Sequence, residues 1–425
     1  MEQPPDRDQG RERLPDLLLD FSSDGINWTR PDLGQVLWEG NTNNNVMAQP
    51  ETDPTHPMHF AYPQLNTRPG AVAADKYLAT GGDVTYTASN ESQWDLGLWM
   101  FDSPDGLRWN TRNPPGKFLP DQERVTPTGT YIGSWRDGIN IIFWSETEQC
   151  YVCLERHTIE TDVLGPQGDN LYRWVARSTS LDLLTWTNEV NMDFGGIAPE
   201  EWYFHSTVPY FRAPQIYIGG PSHYVHYADP DFPNDIEDGH STRCESRCTV
   251  VRPYNPTHYD RTFSTVRWIN SGLDNSAFQF PYQSNWPVWA GRLGVGWIPT
   301  GPAEMSTFLE QPGRFVRYTL RTDGFVALNA GSSGGTMTTR PLTLSGAGIE
   351  VNYQALTGGS LRMAILDAKS SAELSGYGID ASPVMNGDEV ARRVVWRGGN
   401  ASELAGRSVR LWSAIANANV FSVAY

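Results

Sequence analysis

Ser23-Asp24-Gly25-Ile26-Asn27-Trp28-Thr29 returns as Ser103-Pro104-Asp105-Gly106-Leu107-Arg108-Trp109-Asn110. It returns more loosely as Ser178-Thr179-Ser180-Leu181-Asp182-Leu183-Leu184-Thr185-Trp186-Thr187. The three tryptophans stand 81 and 77 residues apart (109 − 28 and 186 − 109). Asp-Gly makes a tight turn, because glycine accepts a positive φ and the Asp carboxylate bonds back to the backbone. The tryptophan then packs on the following strand. A unit returning at a near-constant interval is a repeated sheet, and the all-β arrangement that repeats sheets radially is the β-propeller. On this reading the aspartates form turns and are not catalysts.

Working outward, short apolar or alternating runs bounded by Gly, Pro, Asn and Asp read as strands, and no long stretch keeps helical spacing. Ile139 to Trp144, Ser145 to Gln149 and Cys150 to Leu154 read as strand, turn and strand of one hairpin. Its pairing sum of about 294 sets Asp137 near Arg156 and His157. Residues 227–260, with Asp229, Asp231, Asp235, Glu237 and Asp238, read as a long loop insertion. From Arg317 onward come further short strands: Leu342–Leu344, Ile349–Val351, Leu361–Ile365, Val394–Trp396, Val409–Leu411 and Val420–Val423. The expected organisation is a disordered polar stretch over 1–15, a five-bladed β-propeller over 16–312 and a β-sandwich over 313–425.

A chain of 425 residues exceeds one ordinary core, which agrees with two domains. Hydrophobic residues at 39% and charged residues at 19% set it apart from disordered chains. A net charge of −17 argues against nucleic acid as a partner, since phosphate binding needs basic surface. No run is long and apolar enough for a membrane span or a secretory leader, and Met1–Pro15 is polar and charged. An extracellular or periplasmic location would require a leader upstream of this chain. Four cysteines cannot be the main support of the fold. Cys150 and Cys153 should face opposite sides of a strand, and His240, Cys244 and Cys248 would align only on a helix. No cofactor is expected, and no metal beyond a structural Ca²⁺ that the acidic loop 229–238 could hold through oxygens.

With these motifs in place, residues 21–425 resemble propeller-plus-sandwich proteins grouped with the five-bladed glycoside hydrolase families 32, 43 and 68. The resemblance runs through Ser23–Gly34, Asn44-Asn45-Val46, Gly81-Gly82-Asp83, Ser103–Gly106, Asn140–Trp144, Pro209–Pro214, Arg317–Phe325, Thr339–Leu342 and Gly387-Asp388. It implies a carbohydrate partner and cleavage of glycosidic bonds by paired carboxylates. Two departures accompany it. The family pattern is joined near Asp20-Phe21-Ser22, so a short first blade is expected. Phe60-Ala61-Tyr62-Pro63-Gln64-Leu65-Asn66 lacks the acidic residue that relatives carry there.

Glycoside hydrolysis needs one carboxyl as acid and another as base or nucleophile. The candidates are Asp137 in Trp135-Arg136-Asp137-Gly138, which looks like the Arg-Asp-Pro segment of the superfamily, with Glu200 and Glu201 in Ala198–His205. A carboxyl beside Trp202 and Tyr203 is a candidate proton donor, because an apolar setting raises its pKa; a solvated loop acid is the simpler reading. Trp135, Arg156, Arg177, Tyr203, His205, Arg212 and Glu304 are candidate sugar contacts, with Arg173 as a further guanidinium. Tyr203 and His205, two apart, would share a strand face and could instead serve a uronate lyase. A non-catalytic carbohydrate-binding propeller is the other alternative. Trp396 and Trp412, if exposed, would extend glycan binding into the second domain.

Overall fold

The repeated turns share one hydrogen-bond pattern, and it explains why the motif recurs. Ser22 Oγ accepts from the N–H groups of Asp24 (3.3 Å) and Gly25 (2.7 Å), and Asp24 Oδ1 accepts from Ile26 (2.8 Å) and Asn27 (2.7 Å). Ser103 and Asp105 repeat this with Gly106 (2.8 Å), Leu107 (2.8 Å) and Arg108 (3.0 Å). Ser180 and Asp182 repeat it with Leu183 (2.9 Å), Leu184 (2.8 Å) and Thr185 (2.8 Å). The structural unit is therefore Ser-x-Asp with Trp four residues after the Asp. In the first copy its serine is Ser22, one residue before Ser23. The N–H groups of Asn27 and Ile26 hold the Asp24 carboxyl below its usual range, and those of Thr185 and Leu184 do the same for Asp182. The residue after the Asp has positive φ in all three: Gly25 (68°), Gly106 (78°) and Leu183 (65°).

The structure is a computed structural model. It describes residues 18–38, 40–47, 62–83, 97–112, 117–120, 124–125, 131–132, 140–164, 170–196, 200–202, 205–219, 222–226, 242–246, 249–252, 255–262, 292–293, 296–311 and 314–425. The described residues are all-β: strands in antiparallel sheets, with three short 3-10 turns and no α-helix. The chain divides into two compact units, one of residues 1–298 and 306–318, the other of 299–305 and 319–425.

In the first unit the sheets follow one another along the chain. Gln64–Leu65, Tyr77–Asp83, Gly97–Ser103 and Asn110–Thr111 form one, with Lys117–Pro120 added to Gly97–Ser103. Ile141–Ser145, Cys150–Glu160, Leu171–Ser180 and Val190–Asn191 form the next, and Val208–Tyr210, Ala213–Gly219, Thr249–Arg252 and Asn255–Asp260 another. Arg292–Leu293 then pairs with Glu304–Gln311. The hairpin read from the sequence is present, in register from Ile141↔Leu154 to Ser145↔Cys150. The middle sheet is buried on both faces. Ile141, Phe143, Val152 and Leu154 pack with Tyr217, Val251 and Tyr259 of the following sheet. Ile142, Trp144, Tyr151 and Cys153 pack with Leu78, Leu98, Met100 and Phe118 of the preceding one. Cys150 and Cys153 fall in different clusters.

The repeat tryptophans serve this packing: Trp186 lies 4.8 Å from Phe118, Trp109 is buried, and Trp28 stands edge-on to Phe308 at 5.2 Å. The stretch read as a loop over 227–260 is only partly that. Ser222–His226 pairs with Thr242–Ser246, and Thr249–Arg252 and Asn255–Asp260 complete the sheet. Their apolar runs are too short to stand out: Thr249–Arg252 and Asn255–Asp260 are four and six residues long. Cys244 is in a strand, so the helical alignment with His240 and Cys248 does not form; those two lie outside the described residues, as does 229–238.

The second unit is built on two long strands, Glu350–Asp367 and Ser408–Ala424, flanked by Asp388–Arg393 and by Leu328–Ala330, Gly335–Thr338 and Leu342–Thr343. Ile349–Val351 and Leu361–Ile365 thus belong to one continuous element with its bulge between Ala355 and Ser360, and Val409–Leu411 and Val420–Val423 belong to another. Gly358 (φ 73°) and Asn417 (φ 43°) turn both strands at the same level. A Cβ on Gly359 would press on the carbonyl oxygens of Asn417 and Ala416, the latter at 2.9 Å. Arg321 Nε donates to Asn352 Oδ1 (2.8 Å), and Asn352 Nδ2 donates to the Thr322 carbonyl (2.7 Å), tying the start of the unit to its central strand. Trp396 is core: it is buried, and its Nε1 donates to the Met363 carbonyl at 2.7 Å, so it is not a glycan platform. Trp412 is half-buried.

Two substitutions test these constraints by chemical denaturation. Gly359→Ala should destabilise the second unit by about 3 kcal/mol, at the upper end of ordinary overpacking, because carbonyl groups on a paired strand cannot yield. Leu183→Gly relieves about 1 kcal/mol of left-handed strain but deletes a side chain only 1% exposed, worth about 3 kcal/mol or more. A net loss of about 2 kcal/mol is expected from those two terms.

Candidate functional site

The strand Cys150–Glu160 begins as an ordinary buried strand and then places three ionisable residues in succession, Glu155, Arg156 and His157, all buried. Alternation sends them to opposite faces. On one face Ser178 Oγ donates to Glu155 Oε1 (3.2 Å), and His157 Nδ1 lies 3.5 Å from Glu189 Oε2. Asn140, just ahead of Ile141–Ser145, caps this end: its Oδ1 accepts from the Arg156 N–H (2.9 Å), and its carbonyl accepts from Thr80 Oγ1 (2.6 Å).

On the other face Arg156 Nη1 donates to Thr158 Oγ1 (2.8 Å), and Thr158 is the register partner of Arg173. Arg173 is bonded to Glu201: its Nη1 donates to Glu201 Oε2 at 2.8 Å, and its backbone N–H to the same oxygen at 3.3 Å. The segment carrying Glu201 is held to the strand because the Trp202 N–H donates to the Arg173 carbonyl (2.9 Å). Trp202 is fully buried and stacks on Phe194 at 4.8 Å, which stacks in turn on Tyr259 at 4.7 Å.

This arrangement separates the two neighbouring acids. Glu200 is partly exposed and bonded to Arg261 (2.8 Å), whose guanidinium lies 5.0 Å over the Trp202 ring. Glu201 is 2% exposed, with Oε2 on Arg173 and Oε1 without a partner among the described residues. His205 is fully buried, both its ring nitrogens are unpartnered among the described residues, and burial lowers its pKa to about 3, so the imidazole is neutral at ordinary pH. Ser206 and Thr207 beside it are buried polar residues, and Thr207 Oγ1 is 3.0 Å from the Tyr259 hydroxyl. His205, Ser206 and Thr207 lead directly into Val208–Tyr210.

Other expected contacts fall elsewhere. Arg177 is bound to Glu148 of the hairpin turn (2.5 Å), and Tyr217 donates to Glu148 (2.7 Å) while meeting Ser145 Oγ at 2.5 Å. This group ties the hairpin to the following sheet, and burial pushes the Tyr217 phenol well above its usual range. Arg212 sits in the exposed turn after Val208–Tyr210, at the other end of that strand from His205. Glu304 belongs to the second unit and accepts from Thr300 Oγ1 (2.9 Å). Asp137, Trp135 and Tyr203 lie outside the described residues. Among the described residues no three His, Cys, Asp or Glu side chains are placed to hold a metal ion, and no helix is long and apolar enough to cross a membrane. Glu148, Glu155 and Glu189 were not singled out from the sequence, and His157 entered only as an expected neighbour of Asp137. The signal available was Glu-Arg-His interrupting an otherwise apolar strand.

No family model and no curated protein matches the chain. Among solved structures it is similar to an N-acetylgalactosamine deacetylase from F. plautii in complex with blood group B trisaccharide, at 12% identity over 68% of this chain and 70% of that one, TM-score 0.39. It is also similar to a fructofuranosidase from Schwanniomyces occidentalis complexed with fructosylnystose, at 10% identity over 95% and 87%, TM-score 0.33. A third is a family 32 β-fructofuranosidase from Bombyx mori, at 11% identity over 89% and 80%, TM-score 0.31. At these values the overlaps assign no activity to the chain.

The neutral His205 carries a pH signature. Its folded pKa lies below the unfolded value, so the unfolded chain takes up the proton first as pH falls. The stability from burying neutral imidazole is complete above about pH 6.5 and declines between there and about pH 3. In His205→Gln the melting temperature should fall less than in the native chain between pH 6.5 and 4; parallel slopes would contradict this.

Proposed function

We propose that the chain is a carbohydrate-active protein of the propeller glycosidase kind, a five-bladed propeller followed by a β-sandwich, acting on glycosidic bonds. Four successive antiparallel sheets, the bridged stretch 18–46 ahead of them, and the contact of Trp28 with Phe308 support radial closure. The observation that carries the activity is Glu201: a buried carboxylate fixed by Arg173 through one oxygen, with the other oxygen open. Fixing one oxygen orients the other toward a reacting group, which acid–base or nucleophilic work by a carboxyl requires. Glu201 is therefore preferred over Glu200, whose carboxylate is engaged by Arg261. Asp137 is proposed as the second carboxylate. The uronate-lyase alternative loses support because a histidine held neutral to about pH 3 is a weak proton acceptor.

The test is release of reducing sugar from a panel of fructans, arabinans, mannans and xylans. Glu201→Gln should lower the rate by about 100-fold or more, the usual scale for a lost acid–base group. Glu200→Gln should stay within about tenfold, since an exposed pair contributes little. Glycan binding with no sugar released by the native chain would leave the binding-protein reading standing. Equal loss in both variants would remove the assignment to Glu201.

A further inference from the structure

The sequence holds a single Asn-Gly pair, Asn386-Gly387. Asparagine before glycine is open to self-cyclisation, because glycine has no Cβ to crowd its nitrogen and moves freely between backbone conformations. The pair enters Asp388–Arg393, the last strand in the order of the second unit's sheet. Met385 is bridged to Leu361 and Asp388 is paired with Gln354, so these two residues pass the bulge at Ala355–Ser360 of the facing strand. Both are exposed, Gly387 has φ 91°, and nothing lies within 4 Å of the place its Cβ would take. Main-chain carbonyl oxygens tie the pair to the sheet: Tyr353 Oη donates to that of Asn386 (2.8 Å) and the Ala355 N–H to that of Gly387 (2.7 Å). Neither bond engages the reacting groups, the Asn386 side-chain amide and the Gly387 nitrogen. An exposed connection at a sheet edge opens at low cost, and opening supplies the rotation that brings those groups together.

The described Asp-Gly pairs are closed to the same chemistry. Gly25 and Gly106 give their N–H groups to Ser22 and Ser103, at 2.7 and 2.8 Å, and Gly324 gives its own to the Arg321 carbonyl at 2.8 Å. The Asp24 and Asp105 carboxylates accept from main-chain N–H groups and that of Asp323 from Ser422 and Asn352, and an ionised carboxylate is a poor electrophile. We propose that Asn386-Gly387 is a site at which the folded chain modifies itself. The Gly387 nitrogen, having given its proton to hydroxide, bonds to Asn386 Cγ; the side-chain nitrogen leaves as ammonia, and a succinimide ring closes. Water then opens the ring at one carbonyl to give aspartate, or at the other to give isoaspartate, whose main chain runs through the side-chain carbon. One water is consumed and one ammonia released, with nothing oxidised or reduced. Isoaspartate lengthens the main chain by one carbon between Met385 and Asp388. The bonds from Tyr353 and Ala355 are then lost, and Asp388 is loosened, the residue that accepts from Gln354 (3.1 Å) and pairs with Arg321 (2.5 Å).

The full chain is aged in mildly alkaline buffer made with ¹⁸O-water. Its peptides are followed by mass spectrometry, and isoaspartate is scored with an isoaspartate-specific methyltransferase. Asn386 should take up label at least about tenfold faster than any other asparagine, mainly as isoaspartate, while Asp24, Asp105 and Asp323 should not isomerise. Its rate should lie within about tenfold of that in the urea-unfolded chain, equivalent to a local opening cost below about 1.4 kcal/mol. Hydrogen exchange at the Ala355 N–H should quicken by about tenfold or more in the aged native chain. It should stay unchanged in aged Asn386→Gln, whose longer side chain cyclises far more slowly. Should that variant fail to fold, freshly prepared native chain is the reference. A folded rate more than about tenfold below the unfolded one means that the fold closes the site, and it overturns the proposal. Label at Asn386 without isoaspartate, or with exchange at Ala355 unmoved, overturns it as well.

Discussion

The middle sheet of the first unit is apolar on both faces, and the placement of the candidate site follows from that. Ile141, Phe143, Val152 and Leu154 face one neighbouring sheet, and Ile142, Trp144, Tyr151 and Cys153 face the other. A sheet so enclosed has no solvated face to receive charge. Its ionisable residues are therefore gathered near the end of Cys150–Glu160, where Glu155, Arg156 and His157 still lie buried and are matched to Ser178, Asn140, Thr158 and Glu189. The Glu148–Arg177–Tyr217 group answers the same constraint at the hairpin turn.

Pairing also decides which acids are available. Glu200 and Glu201 are neighbours in sequence, but one faces Arg261 at a partly exposed position and the other is enclosed with Arg173. Enclosure makes the second pair sensitive to loss of either partner, since a lone buried charge is far more costly than a lone exposed one. The arginines expected to hold sugar divide accordingly: Arg177 serves the connection between sheets, while Arg156 and Arg173 lie on the face that carries Glu201.

The second unit meets a different constraint. Two strands of 18 and 17 residues cannot stay straight around one core, and they bend together where Gly358 and Gly359 lie across from Asn417. Glycine is required at 359 because the opposing carbonyl groups occupy the space a side chain would need. Asn352 then fixes the incoming chain by bonding to Thr322 and Arg321.

The sequence by itself determined the all-β character, the repeated turn and the hairpin at 141–154, because these depend on contacts within a few residues: Ser-x-Asp bonds its own loop, and alternation sorts Cys150 from Cys153. It also marked residues 200–205 as chemically unusual. Leu183, in the position held by glycine in the other copies, makes the third repeat the loosest of the three, and its buried side chain outweighs the strain of its positive φ. Only the tertiary structure decided that Glu201 rather than Glu200 is enclosed, that Glu148 pairs with Arg177, that Trp396 is core, and that His205 has no partner among the described residues. Each of these depends on residues 28 to 69 positions away along the chain, or on the lack of any among the described residues, and burial and charge pairing at such distances leave no local pattern to read.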